Sequence, residues 1–104
     1  MLQFDTFPHP VQALRHVYPF AVNLRSALIA LGEDTVIAPL VPRQQFPQLP
    51  GRLSPIVSID DTEYVVVIEK LTTVPVRSLP RRIANISAHR ESILGAIDLL
   101  FFGV

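Results

Sequence analysis

The densest group of side chains that could act as a general acid and base consists of Asp60, Asp61 and Glu63. These residues separate two runs rich in β-branched residues. Aspartate is favoured at such positions because its side chain bonds to its own backbone in tight turns. The pattern therefore predicts the tip of a β-hairpin rather than an active site.

The other residue types that could act in catalysis or bind a metal or phosphate also lack the spacing that such sites require. His9, His16 and His89 lie in different parts of the chain, and no two have a metal-ligand spacing such as HExxH. Cysteine is absent, which excludes thiolate zinc sites and cysteine nucleophiles. The serines have no GxSxG context, and the four glycines form no phosphate-binding loop. We expect no catalytic residues, no metal and no cofactor.

Composition narrows the class of protein. Nine basic side chains balance nine acidic ones in 104 residues, and nucleic-acid binding depends largely on basic residues. We therefore expect no direct nucleic-acid binding. Hydrophobic residues make up 49% and charged residues 17%, which favours a folded chain with an apolar binding face or a dimer. The sequence has no membrane-spanning run and no signal-peptide pattern. We expect a single cytoplasmic domain over residues 1–104 that does not bind a membrane.

The elements that position these residues are mostly strands, because ten prolines between Pro8 and Pro80 leave little room for long helices. Larger apolar residues alternate over 20–25, as in a half-buried strand. The unbroken apolar run Val65–Ile68 predicts a strand covered on both faces. The predicted strands are Leu2–Phe7, Phe20–Leu24, Thr35–Leu40, Ile56–Ile59, Tyr64–Ile68 and Val74–Val76. Residues 42–52, with three prolines and a glycine, read as a loop.

The pattern changes after Pro80. Apolar side chains recur with helical spacing at Ile93, Leu94, Ile97, Leu100 and Phe101. They predict one core-facing stripe on a helix from Ser87 to Phe102. Ser87 is the expected N-cap, Glu91 lies near the positive end of the helix dipole, and Gly103 is the expected stop.

The tail of this helix has two interpretations. Phe102 points about 100° away from Phe101 around the helix axis, so both rings do not fit on one stripe. In the first interpretation the helix caps the sheet and Phe102 fills a gap in the core. In the second, Phe102, Gly103 and Val104 project from the domain as an apolar prong that contacts a partner.

Four segments together resemble the CcdB family of toxins. They are YPFAVNLRSALI (Tyr18–Ile29), TVIAPL (Thr35–Leu40), TTVPV (Thr72–Val76) and AIDLLFFGV (Ala96–Val104). Their order and spacing carry the resemblance over nearly the whole chain. It implies a mainly β fold, a small antiparallel SH3-like barrel with a C-terminal α-helix, which agrees with the pattern described above.

The resemblance also implies a function, that of the bacterial toxin of a type II toxin–antitoxin pair. Such a toxin is not an enzyme. A homodimer inserts its helix ends into the DNA gyrase A subunit, traps the complex with cleaved DNA, and so blocks replication and transcription. The family's gyrase-binding residues correspond here to Leu28, Ile29, Asp98, Phe101, Phe102, Gly103 and Val104. The best-known members carry asparagine in place of Asp98 and tryptophan in place of Phe102.

The second implied partner is a cognate antitoxin, whose disordered C-terminal segment neutralises the toxin. Arg77, Arg81 and Arg82 are the candidate contacts for its acidic residues. Two alternatives stay open. A related toxin family with this fold cleaves messenger RNA, and a non-toxic homologue would bind antitoxin without poisoning a target.

Overall fold

The protein is described here from a computed structural model that covers residues 1–26, 34–49 and 51–103. Over these ranges the fold is mainly β, a nearly closed antiparallel barrel-like sheet followed by one α-helix, which confirms the predicted fold class. The strands are β1 (Asp5–Pro8), β2 (Phe20–Asn23), β3 (Asp34–Pro42), β4 (Ile56–Ile59), β5 (Thr62–Val66), β6 (Thr72–Pro75) and β7 (Ala84–Asn85). The helix, α1, spans Arg90–Phe102. None of the described helices is long and apolar enough to cross a membrane.

Strand β3 is the hub of the sheet. The strands follow the order β4-β5-β3-β2-β1-β7, and β6 also pairs with β3. On one side, β3 pairs with β2. On its other side it has two partners, β6 along Asp34–Ile37 and β5 along Leu40–Pro42. Pro39 lies where these partners change, and its carbonyl accepts a hydrogen bond from the Val67 N–H (2.9 Å). A central proline is tolerated because its missing donor faces this junction.

The predicted hairpin around the acidic residues is confirmed. Strands β4 and β5 pair antiparallel with Ile59 opposite Thr62, so Asp60 and Asp61 form the two-residue turn. Both turn residues have positive φ angles, 50° and 65°. Type I′ turns, which are common in two-residue hairpins, require positive φ at both positions, and aspartate tolerates such angles better than most residues.

The sheet is buried on both faces, so the core has two parts. On the inner face Val22, Leu40 and Val66 pack with Ile93 and Ala96 of α1. On the outer face a smaller cluster consists of Val41, Val65 and Val67, with Tyr18, Phe46 and Ile56 packed against it. The prediction that Val65–Ile68 is covered on both faces is confirmed. The prediction of a half-buried strand over 20–25 is wrong in one respect. Ala21 and Asn23, which were expected on the exposed face, are buried as well.

The helix begins later than predicted. A 3-10 turn at Ser87–His89 precedes α1, and the Ser87 side chain caps neither. Instead the Ser87 N–H donates to Oδ1 of Asn85 (3.0 Å), so a residue two positions earlier supplies the oxygen expected from Ser87. Gly103 ends α1 as predicted, with a left-handed φ of 72° and an N–H that donates to the Leu99 carbonyl (3.0 Å).

Candidate functional site at the end of the helix

The first two turns of α1 hold the helix on the sheet. Ile93 and Ala96 are fully buried in the inner core, and Leu94 and Ile97 pack against it. Burying a large aliphatic side chain contributes about 1.5–3 kcal/mol, so these positions fix how the rest of the helix is presented.

Side chains at the start of the helix also fix its position. The Arg90 Nη1 donates to Oε1 of Gln3 (3.2 Å), and the Arg90 guanidinium lies 5.9 Å from the centre of the Phe4 ring. The Ser58 N–H on β4 donates to Nε2 of His89 (3.2 Å). Because β4 and β7 are the outer strands of the sheet, this bond links one edge to the start of the helix.

The last turn of α1 leaves the body of the protein. The exposed fractions are 37% for Leu100, 60% for Phe101 and 73% for Phe102. The predicted core-facing stripe is therefore wrong for Leu100 and Phe101, because the inner core ends beneath Ile97 while the helix continues. Phe102 does not fill a gap in the core, so the first interpretation of the tail is wrong. The contact with a partner stays a prediction. Two adjacent exposed aromatic rings form an apolar projection of a kind that marks binding sites.

Asp98 lies on the same surface. It is exposed, and it precedes Phe101 and Phe102 by three and four positions, which places the three side chains side by side on a helix. Within the described ranges Asp98 has no hydrogen-bond or ion-pair partner. Gly103 directly follows this group. We name Asp98, Phe101, Phe102 and Gly103 the helix-end surface.

Three of the residues predicted to bind gyrase have no structural description. Leu28, Ile29 and Val104 lie outside the described residues. The structure thus brings together the four members of the helix-end surface, and gyrase binding stays a prediction for all seven residues.

The arginines predicted to contact the antitoxin differ from one another. Arg77 and Arg81 are exposed. Arg82 instead pairs with the buried Asp5 (Nη1 to Oδ1, 3.3 Å). Asp5 also accepts hydrogen bonds from Asn85 Nδ2 (2.9 Å) and the Leu2 N–H (2.8 Å). Burial alone would raise the pKa of Asp5, but these bonds outweigh it and hold the pKa below the usual 3.8. Arg82 therefore has a structural role, and its contact with the antitoxin stays a prediction.

An apolar groove that no sequence pattern predicts lies on the outer face of the sheet, opposite α1. It consists of two cavities of about 240 and 250 Å³ that meet at Tyr18 and Lys70. Val41, Phe46 and Val67 line the first, and the second is lined by His9, Leu14, Ile37, Pro39 and Val74. These residues come from segments far apart in the chain, so no local pattern marked the groove. We name it the outer groove.

Comparison with known proteins identifies the family. A family model described as CcdB protein matches residues 3–103. No curated protein matches the chain significantly. The match includes the helix, the exposed phenylalanines and the barrel-like sheet that supports them. The chain therefore belongs to the CcdB family, and with it to the toxins of toxin–antitoxin systems.

Proposed function

We propose that this toxin binds the A subunit of DNA gyrase through the helix-end surface and holds the enzyme while its DNA is cut. The observation that carries the proposal is the exposure of Phe101 and Phe102 on a helix whose earlier turns are fixed in the core. Such a rigid apolar projection loses little conformational entropy on binding. Leu28, Ile29 and Val104 belong to the proposed contact set through the family resemblance alone.

The proposed mechanism is obstruction, and the toxin makes or breaks no bond. In the proposed complex, two copies of the chain related by a two-fold axis present their helix ends to the two-fold A-subunit dimer. Matching symmetry lets both ends bind at once, so the second contact forms at a high effective concentration. Bound in this way, the toxin would prevent religation of the cleaved DNA.

The first prediction concerns Phe102. Replacing it with alanine removes the most exposed ring of the helix-end surface, and we expect a loss of about 2 kcal/mol, or about 30-fold, in affinity for the A subunit. The melting temperature should stay near that of the parent, because the ring makes little contact with the core. Isothermal titration calorimetry and thermal unfolding measure the two quantities.

The matched control is Leu49→Ala, which truncates an apolar side chain that is 94% exposed but lies elsewhere. It should leave affinity and stability unchanged. Ile97→Ala, a change at a core-packed position of the same helix, should lower stability. A Phe102→Ala protein that melts as early as Ile97→Ala, or binds as tightly as the parent, would contradict the proposal.

A gyrase cleavage assay tests the mechanism itself. Cleaved DNA should accumulate when gyrase is incubated with the chain of residues 1–104. It should not accumulate with a chain that lacks residues 102–104. Incubation of the full chain with RNA in the absence of gyrase should give no cleavage. RNA cleavage in that tube would favour the endonuclease alternative, and binding without accumulation of cleaved DNA would favour a non-toxic homologue.

We also propose that the antitoxin binds near Arg77 and Arg81. These exposed residues follow β6, and Val74 of that strand lines the outer groove, so this part of the chain carries both apolar and basic side chains. An extended segment with apolar and acidic side chains fits this combination.

The second prediction is that the double variant Arg77→Glu and Arg81→Glu binds antitoxin at least about tenfold more weakly, because like charges would now face each other. Arg82 is left intact because it pairs with Asp5. Arg52→Glu, the same substitution at one other exposed arginine, is the control and should have little effect. Unchanged antitoxin affinity in the double variant would remove these arginines from the site.

A further inference from the structure

One wall of the outer groove is not part of the sheet. This wall is the β1–β2 loop, residues 9–19, which contributes side chains to both cavities. Val11 and Leu14 line the second cavity, and Val17 lines the first. These three side chains remain 48%, 40% and 41% exposed, so the loop covers the groove without being buried itself.

The loop is held mainly by its own hydrogen bonds. Within the part of the chain that the structure describes, each hydrogen bond of residues 10–18 ends inside the loop or at His9. None of these bonds reaches β3 or β6, which form the floor of the groove. The contacts that hold the loop against the sheet are therefore those of His9 and of Tyr18, which packs against the outer cluster.

His9 is the buried anchor of this loop. Its Nδ1 accepts a hydrogen bond from the Val11 N–H (3.0 Å), and its carbonyl accepts one from Arg15 Nε (2.7 Å). Its ring also stacks against Tyr18. Because Nδ1 is an acceptor in this arrangement, the ring carries its proton on Nε2 and is neutral.

A protonated ring does not fit this position. Both of its nitrogens would be donors, so Nδ1–H would face the Val11 N–H. The charged groups that face the ring are cations, Arg15 of the same loop and Lys70, which lines the same cavity. Among the described residues, β3 and β6 contribute only uncharged side chains to this cavity, and the carboxylate of Glu69 lines the other one. A buried positive charge without a counter-charge is costly.

We propose that His9 is a pH-sensitive latch, whose protonation releases its ring and frees the β1–β2 loop from the outer groove while the sheet stays folded. The groove would then have a complete wall near neutral pH and an open one at mildly acidic pH. The proposal concerns the groove alone and does not depend on gyrase binding.

Hydrogen exchange at individual amides, corrected for the intrinsic pH dependence of exchange, tests the proposal. A ring that has left the groove has the usual pKa of about 6.5, whereas burial lowers the pKa of the ring in place. Lowering the pH from 7.5 to 5.5 should therefore favour the open loop by up to about tenfold. We expect the protection of the Val11, Leu14, Val17 and Tyr18 amides to fall by up to that factor. Unchanged protection would overturn the proposal.

Urea separates opening of the loop from unfolding of the domain. Local opening exposes little surface, so exchange in the loop should not respond to urea below the unfolding transition. The amides of β2 and β3 should exchange faster as the urea concentration rises. If the loop amides share the urea dependence of these strands, the domain opens as a whole and the proposal is wrong.

His9→Asn is the test variant, and His16→Asn is its matched control. The asparagine Oδ1 can accept the hydrogen bond of the Val11 N–H but does not titrate, so loop protection in this variant should not change with pH. His16 is an exposed histidine of the same loop, and its variant should behave like the parent. Equal responses to pH in the two variants would overturn the proposal.

If the loop of His9→Asn is already open at pH 7.5, an NMR titration of the parent decides. The nuclear Overhauser effects between the His9 and Tyr18 rings should disappear as the pH falls. They should do so with the midpoint at which the His9 ring titrates and the loop amide signals move. A loop midpoint that instead matches the titration of His16 or His89 would contradict the proposal.

Discussion

His9 shows how one side chain can make the stability of this fold depend on pH. It is buried, with 7% of its surface exposed, and its ring stacks against Tyr18 at 6.3 Å between centroids. The Val11 N–H donates to its Nδ1 (3.0 Å), and Arg15 Nε donates to its carbonyl (2.7 Å). Burial lowers the pKa of His9 below the usual 6.5, and the charge of Arg15 acts in the same direction.

The third prediction follows from that lowered pKa. The unfolded chain binds a proton at His9 near pH 6.5, whereas the folded chain binds it only at lower pH. The contribution of neutral His9 is therefore complete above pH 6.5 and is lost as the pH falls towards the lowered value. His9→Asn keeps an acceptor for the Val11 N–H but does not titrate, so it should reduce the loss of stability between pH 7.5 and 5.5. Urea unfolding at the two pH values measures it.

His16→Asn is the control for this experiment, because His16 is an exposed histidine of the same segment. It should retain the pH dependence of the parent. Asp5 affects stability in a different pH range. The stabilisation that comes from its lowered pKa is lost only as the pH falls below about 3.8. If His9→Asn and His16→Asn show the same slope, His9 is not the group responsible.

At the scale of the helix, two glycines have opposite roles. Gly95 lies in the middle of α1, and an added Cβ would meet no atom within 4 Å. Gly103 has equally open surroundings but a φ of +72°, which side-chain-bearing residues adopt at a cost of about 1–2 kcal/mol. The same substitution at the two sites therefore separates helix propensity from backbone strain.

The fourth prediction is that Gly95→Ala raises the free energy of unfolding by about 0.5–1 kcal/mol, because alanine is the better helix former. Gly103→Ala should lower it by about 1 kcal/mol or more. Chemical denaturation of both variants beside the parent gives the comparison. Shifts of the same sign would show that the left-handed φ of Gly103 does not distinguish the two sites.

Local chemistry made some of the elements predictable from the sequence. The Asp60–Asp61 turn and the Gly103 stop depend on backbone angles that few residues tolerate, so their residue types indicated them directly. The predicted start of the helix at Ser87 was wrong. Asn85, which lies outside the helix, supplies the oxygen that accepts a hydrogen bond from the Ser87 N–H. Strand β7 is only two residues long and was not predicted, because its pairing with β1 depends on a distant partner.

The candidate site was predictable only in part, because it too depends on contacts between distant parts of the chain. The helical spacing placed Phe101 on the core-facing stripe and Phe102 off it, and the prediction for Phe101 was wrong. Both are exposed because the inner core ends at Ile97, and the extent of the sheet beneath a helix is a tertiary property. The outer groove likewise requires distant segments to come together.

At the scale of the whole molecule, we propose that residues 1–104 form a single cooperative domain. The radius of gyration is 12.7 Å, close to the value of about 13 Å expected for a compact domain of this length. The inner and outer clusters also share strands, since Val65 and Val66 are neighbours that face opposite sides of the sheet.

The fifth prediction tests this cooperativity. Far-ultraviolet circular dichroism and tyrosine fluorescence should report the same unfolding midpoint, because the backbone and both tyrosine environments would be lost together. Ile93→Ala, in the inner cluster, and Val65→Ala, in the outer one, should each move both signals together, with a loss of about 2–5 kcal/mol for the isoleucine. Separate midpoints in either variant would show that the two faces unfold independently.

Pro39 has a consequence for how the molecule resists aggregation. If β6 detached from β3, it would uncover only Asp34–Ile37, and the proline two residues further on offers no N–H to an incoming strand. A neighbouring molecule could then extend its pairing along β3 only by displacing β5 too. Partial opening of this sheet therefore offers a poor template for fibril growth.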